Sequence, residues 1–276
     1  MRDVIKRFRD LHESGCFVIP NPWDPGSARY LHHLGFKALA TTSSGFAFSR
    51  GLPDDIHYNG RDAVLAHFRE IVEATPLPVN GDFQNGHADE PERVAENVAL
   101  CVATGVAGLS IEDSTGDETK PLYDFDLAIK RIKAARRAID QSGEPVVLTA
   151  RCEAWLVGDS EPFATSIKRL TAYAEAGADC LYAPSVVASP SEIAAIVQAV
   201  APRAVNVLVS RPDPNLTVAK LADLGVRRIS VGSGLARVAW AAFIRAAREI
   251  ANHGTFEAFA DTASGTELNN LFRERQ

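Results

Sequence analysis

Three ionisable residues stand at the ends of three consecutive apolar runs: Asp82 in PVNGDF (78–83), Glu112 in GLSIED (108–113) and Arg151 in VVLTAR (146–151). A carboxylate at the end of a buried run is costly unless it is protonated, paired with a cation or bound to a metal. Two carboxylates and one guanidinium brought together can hold a hard cation and a small anion side by side. With oxygen donors only, and no His or Cys in these runs, the set suits Mg²⁺ or Mn²⁺ better than zinc. No Lys occurs in any of the eight apolar runs of the chain, which disfavours Schiff-base chemistry. Negative charge developing on an enolate would then be met by a metal ion and Arg151. The structural alternative is that Asp82 and Glu112 merely pair with Arg151 or cap the following helices, and Asp113 is read in that way.

The elements that must position these residues recur along the chain. In LHHLGFKALATTS, CVATGVAGLSIED, YAEAGADCLYAPS and LADLGVRRISVGS, a helical run meets a Gly (Gly35, Gly105, Gly177, Gly225) and then an apolar run that stops on a polar residue. The Gly sits where a helix C-cap belongs, and the branched residues after it favour a strand. Eight such strands are predicted at 16–21, 38–43, 78–83, 108–113, 146–151, 180–185, 205–210 and 228–233. Helical segments are predicted near 25–33, 61–74, 90–104, 124–140, 161–176, 190–200, 217–224 and 235–252. Strands apolar on both faces and alternating with helices indicate a parallel sheet covered on its faces. Eight βα units in this length point to one closed (β/α)₈ TIM barrel over residues 1–276, with 253–276 as a C-terminal helical tail. The stretches 44–60 and 114–123 read as long loops at the mouth, beside Asn21, Ser43, Ser44, Ser185, Ser210 and Ser233.

Composition narrows the partners. The net charge of −6 over 276 residues speaks against nucleic-acid binding, which needs a basic surface. No run approaches the roughly 20 apolar residues of a membrane span, and MRDVIKRFRDLHESG lacks the apolar centre of a signal peptide. Cys16, Cys101, Cys152 and Cys180 are scattered, without a C-x-x-C pair, as expected of reduced cysteines in a cytoplasmic protein.

The segments NPWDPGSARYL (21–31), TTSSGFAFSRGLPD (41–54), GDFQNG (81–86), GLSIED (108–113) and TARCEAW (149–155) resemble the isocitrate lyase and phosphoenolpyruvate mutase superfamily. The resemblance implies enzymes that make or break C–C or C–P bonds next to a 2-oxo acid. It implies that Asp82 holds the metal, while Asp54 and Glu112 bind it largely through water. Gln84 stands where the family commonly has a second acidic residue, which lowers the charge of the site by one. Ser44 and Gly45 match the turn that grips the 2-oxo carboxylate, and Arg151 matches an arginine at the substrate's far end. The lyase motif K-[KR]-C-G-H is absent, since DSTGDETKPLYD stands in its place without Cys or His.

Smaller signals complete the reading. His87, just past GDFQNG, is a candidate acid or base, or a solvated loop residue. Trp23 and Phe46 are expected to line the pocket or its rim. GSGLAR (232–237) reads equally as a phosphate cradle or as close packing at the start of the last helix. Large apolar residues in the tail call for a partner surface, and the resemblance implies a homodimer or homotetramer. The expected activity is a Mg-dependent C–C lyase acting on a small 2-oxo or 2-hydroxy diacid through a pyruvate enolate. The alternatives are a C–P mutase or hydrolase, and a non-catalytic metabolite-binding barrel.

Overall fold

The computed structural model describes residues 2–184 and 189–273. Eight strands, β1 Phe17–Ile19, β2 Leu39–Ala40, β3 Val79–Asp82, β4 Gly108–Glu112, β5 Val147–Arg151, β6 Cys180–Tyr182, β7 Ala204–Leu208 and β8 Arg228–Ser230, pair in parallel in the order β1-β8-β7-β6-β5-β4-β3-β2. The seam between β1 and β2 is crossed by the Ala40 N–H, which donates to the Pro20 carbonyl at 3.0 Å. Asn21 secures the same seam: its amide donates to the Thr41 carbonyl at 2.9 Å, and its Oδ1 accepts from Val231 and Gly232, each at 2.9 Å. One buried side chain thus joins the ends of the first, second and last strands, and the sheet is a nearly closed (β/α)₈ barrel as expected. Because Asn21 takes the backbone N–H groups of Val231 and Gly232, the GSGLAR turn has spent its first donor, and the residue before it another, on closing the barrel.

The strands are followed in turn by α2 Pro25–His33, α4 Arg61–Glu73, α5 Pro91–Val102, α6 Phe125–Ser142, α7 Pro162–Glu175, α8 Pro190–Val200, α9 Val218–Asp223 and α10 Gly234–His253. Four of these helices carry Pro at their first turn, where its missing N–H costs nothing. Gly35, Gly105, Gly177 and Gly225 all adopt positive φ at the helix ends, the conformation inferred from the repeated pattern.

Two elements depart from the sequence reading. The charged N-terminal stretch forms α1 Arg2–Glu13, which buries Ile5 and Phe8 under the barrel. A Cβ on Gly108 would lie 2.6 Å from the Phe8 ring, so the closeness of this helix explains that glycine. The segment 44–60, read as one long loop, instead begins with α3 Ser43–Ser49, which is N-capped by Thr42 and buries Gly45, Phe46 and Ala47. Seven residues are too few for helical periodicity to show in the sequence.

The tail forms a 3₁₀ turn, Glu257–Asp261, and α11 Gly265–Arg273. Arg29 of α2 donates to the Phe272 carbonyl at 2.9 Å and its guanidinium lies 5.3 Å from the Phe272 ring centroid. Much apolar surface remains outside: α10 buries only Ala236, and Val238, Phe243 and Phe256 are at least 60% exposed. No helix among the described residues is long and apolar enough to cross a membrane.

Candidate active site

The register of the sheet builds the site. Glu112, Arg151 and Tyr182 lie side by side across β4, β5 and β6, while Asp82 of β3 pairs with Ser110, one pleat below Glu112. Side chains two apart on a strand share a face, so these groups converge at the C-terminal mouth. Arg151 is their hub. Its Nη1 lies 3.3 Å from Glu112 and 3.6 Å from Asp82, while Nη2 donates to Glu153 at 3.0 Å and Nε to the other Glu153 oxygen. Asp82 also accepts from the Ser43 N–H at 3.1 Å and from the Ser110 hydroxyl at 3.4 Å. The Asp82 N–H donates to the Thr41 hydroxyl at 2.8 Å, which holds the end of β3 against β2.

Three carboxylates therefore share one guanidinium. Burial raises the Glu112 carboxyl well above the usual carboxylate range, with Arg151 opposing that rise and Glu153, Asp82 and Asp54 adding to it. Burial also raises Glu153, again against Arg151. Burial works against the charge of Arg151, but Glu153, Glu112, Tyr182 and Asp82 together outweigh it and raise the guanidinium further. Burial pushes the Tyr182 phenol up to about 12, so it stays protonated at the wall of the mouth. The mouth itself is a cleft with about 60 Å³ open to the centre of a water-sized sphere, and Asp82, Arg151, Tyr182, Asn21 and Asn80 help to line it.

The other predicted residues are distributed around this centre. The Ser44 hydroxyl donates to the Asp54 carboxylate, joining the first turn of α3 to the loop that follows it. A Cβ on Gly45 would lie 2.6 Å from Thr42 and 2.9 Å from Trp23, so only glycine fits there. Trp23 lines an outer groove with Trp240 and Phe243, away from the mouth cleft, and Phe46 stacks on His67 at 4.4 Å. Gln84 is buried behind Asp82 with φ 47°, and its Oε1 has no partner among the described residues. His87 faces a separate cavity beside Arg61 and Asp89. Burial and Arg61 lower its pKa to about 4, against the pull of Asp82, so it is neutral near pH 7. Ser185 lies outside the described residues.

Asp113, read as structural, accepts from the Glu153 N–H at 2.8 Å, from Arg169 at 3.1 Å and from the Tyr173 hydroxyl at 2.7 Å. Cys152 faces α7, within 3.7 Å of the Ser166 hydroxyl.

Several residues of the site escaped the sequence reading, Asn80 and Arg228 of the cleft wall among them. Glu153, the closest partner of Arg151, was signalled by its spacing, since a residue two beyond a strand-end arginine returns to the same face. Arg131 carried no local signal, standing among the other basic residues of α6. It is 1% exposed and donates to the carbonyls of Asn85, Ala88 at 2.8 Å, Asp89 at 3.1 Å and Glu112 at 3.4 Å. The guanidinium thereby ties the turn after β3 to the end of β4.

The donor set can be weighed against a divalent cation. Among the described residues, no three His, Cys, Asp or Glu side chains are placed to ligate one ion directly. The excess of buried carboxylate over guanidinium is nonetheless the electrostatic setting that a dication relieves. The residues fit an ion held by few side chains, with water and substrate completing its shell, as is usual for Mg²⁺.

Fold and site together define a barrel enzyme of the carbon–carbon lyase and mutase class. The chain belongs to the phosphoenolpyruvate phosphomutase family, whose model matches residues 8–251, within the wider phosphoenolpyruvate mutase/isocitrate lyase superfamily. Among similar solved structures is a Burkholderia cenocepacia J2315 protein with a provisional lyase/mutase name, 46% identical, with TM-score 0.93, covering 98% of this chain and 96% of that one. An oxaloacetate acetylhydrolase in complex with its product oxalate is 27% identical, with TM-score 0.84 and coverage of 97% and 93%. The 2-methylisocitrate lyase of Halalkalibacterium halodurans is 28% identical over 261 residues, 93% of this chain and 85% of its own length.

Proposed function

We propose that the protein cleaves a C–C bond in a small 2-oxo or 2-hydroxy diacid, with Mg²⁺ or Mn²⁺ held at Asp82 and, through water, at Asp54, Glu112 and Gln84. The observation that carries this reading is the surplus of carboxylate around Arg151 at the mouth. When bound, the ion would supply Lewis-acid polarisation of the substrate's 2-oxo oxygen.

The remaining work falls to the chain's own groups. The 2-oxo carboxylate is placed at the first turn of α3, where it would take over two donors that serve the protein itself: the Ser44 hydroxyl, which donates to Asp54, and the Gly45 N–H, which donates to the Thr42 hydroxyl at 3.4 Å. Arg151 has five N–H donors; four face Glu153, Glu112 and Asp82, and the remaining Nη2 hydrogen can take the substrate's far carboxylate. Glu153 sets the plane of that guanidinium through its two-pronged contact. Tyr182, kept protonated, presents a hydroxyl donor at the cleft wall. His87 lies outside the cleft, so a direct catalytic part for it requires the turn after β3 to move.

C–P bond chemistry is the second reading, favoured by the phosphomutase description of the matched family. Membership of a family of enzymes weighs against the third, a non-catalytic binder. The exposed face of α10 and the tail support a homodimer or homotetramer, because monomers rarely leave contiguous apolar patches of this kind in water. Turnover of oxaloacetate, methylisocitrate and phosphonopyruvate should be measured with and without Mg²⁺. Metal-dependent cleavage of one of the two C–C substrates is expected; turnover of phosphonopyruvate alone would transfer the assignment to C–P chemistry.

A further inference from the structure

Beside Asp82, and sharing Thr41, Thr42 and Asp82 with the mouth cleft, lies a second, smaller chamber. Its walls come from four places: Thr42, Ser43 and Phe46 around the start of α3, Asn59 from the segment before α4, His67 from α4, and Gln84 with Asp82 at the end of β3. Asn59, His67 and Gln84 are 2%, 3% and 5% exposed. Asn59 Oδ1 and Nδ2, His67 Nε2 and Gln84 Oε1 all lack a hydrogen-bond partner among the described residues. Four orphaned polar atoms around one chamber are too many to leave unexplained, since each costs roughly 1–3 kcal/mol if it stays unpaired.

Size and chemistry select the guest. About 10 Å³ is open to the centre of a water-sized sphere, the space of a single water molecule. A diacid or a hydrated ion does not fit. The walls offer an acceptor on Gln84, both an acceptor and a donor on Asn59, and an imidazole nitrogen on His67. Burial and the charge of Arg50 lower His67 to about 4, against the pull of Asp24, so the ring is neutral near pH 7. The four orphaned atoms, with donors and acceptors among them and the Asp82 carboxylate beside them, are what one water, a donor of two hydrogen bonds and an acceptor of two, satisfies.

We propose that this chamber is a built site for one internal water, and that the water fastens the 53–60 segment to α4 and to the end of β3. Its position gives it a role in substrate binding. Asp54 of that segment holds the Ser44 hydroxyl, and Phe46, two residues on, stacks on the His67 ring. The carboxylate grip at Ser44 and Gly45 therefore rests on the element that the water anchors. Asn59 and His67 are positioning residues in this scheme; this last step rests on the substrate reading given above, whereas the water and the anchoring do not.

A high-resolution crystal structure of the full chain tests the site first: one water should lie within hydrogen-bond distance of at least three of the four orphaned atoms. Asn59→Leu, close in shape and without polar atoms, should displace it and raise amide exchange across residues 53–60 by at least tenfold. The same variant should raise KM for the active substrate about tenfold while changing kcat by less than threefold. His67→Gln, which keeps a polar group on α4, should retain the water and normal exchange, whereas His67→Leu should behave as Asn59→Leu does. A dry chamber, a sodium or potassium ion in it, or exchange unchanged in both leucine variants would overturn the proposal. Loss of the water with faster exchange but an unaltered KM would retain the anchor and remove only its link to the carboxylate grip.

Discussion

Two acidic centres lie side by side at the ends of β4 and β5, and they are built to opposite specifications. At Asp113 one carboxylate meets one guanidinium, a tyrosine hydroxyl and a backbone N–H, so that charge and hydrogen bonds balance. At Arg151 one guanidinium faces Asp82, Glu112 and Glu153, and burial drives Glu112 and Glu153 toward their neutral forms. Both centres are buried, and both contain an arginine. What separates them is the unbalanced charge, which invites a cation or a proton at the second and neither at the first. Burial of a carboxylate thus says little about function; the sign and size of the remaining charge say much.

Substitutions can break this contrast. The largest effect is expected from Asp82→Ala, which should lower activity by more than a thousandfold, about 4 kcal/mol. The same change should abolish Mg²⁺ binding by calorimetry and leave the circular dichroism spectrum of the barrel in place. An unaltered metal titration would remove Asp82 from the site. Asp113→Asn should do the reverse, costing about 3 kcal/mol of stability by leaving Arg169 buried without its counter-charge. Denaturant unfolding measures that loss, and metal affinity should stay within twofold; a variant as stable as the parent would mean that Asp113 is not the balanced centre described.

Arg151→Lys keeps the charge but loses the planar fork that engages Glu153. A fall in kcat/KM of about a hundredfold, or about 2.7 kcal/mol, is expected with little change in melting temperature. Near-normal kinetics would assign Arg151 to ion pairing alone.

A control distant from both centres lies beneath the barrel. His12 packs edge-on against Phe8 and Phe17, with Nδ1–H donating to the Phe8 carbonyl at 2.7 Å. Burial, reinforced by Arg228, lowers its pKa to about 3. Between that value and the unfolded value of 6.5 the unfolded chain binds the extra proton, so this contribution to stability is present above pH 6.5 and is lost as pH falls. By pH 5 the loss should reach about 2 kcal/mol, and His12→Gln should flatten that part of the stability–pH curve; an identical curve would locate the acid sensitivity elsewhere.

The smallest effect should come from Gln84→Glu. Restoring an acidic group behind Asp82 should tighten Mg²⁺ binding by about fivefold, or about 1 kcal/mol, because a nearby carboxylate favours a dication. Equal or weaker affinity would place Gln84 with the internal chamber alone.

How far the sequence reaches differs between these parts for physical reasons. The strand and helix pattern was legible because apolar runs and Gly at helix ends are local signals, and β3, β4 and β5 fall inside the ranges read from them. The short helix Ser43–Ser49 was not legible, since it spans fewer than two turns and its apolar residues match a loop that packs inward equally well. Asp82, Glu112 and Arg151 stood out because charge at the end of an apolar run is itself an anomaly. Arg131 did not, because a buried arginine that serves backbone carbonyls looks, in sequence, like any basic residue of a helix.

By itself the sequence determined the barrel, its strand ends and the convergence of Asp82, Glu112 and Arg151, because periodicity and local capping are carried by neighbours in the chain. Only the tertiary structure decided that Glu153 is the nearest partner of Arg151, that Asp113 is balanced by Arg169 and Tyr173, and that Asn59, His67 and Gln84 enclose one chamber. Those outcomes depend on distances between residues far apart in the chain. Hydrogen bonds and charge balance act over a few ångströms in space, whatever the separation along the sequence.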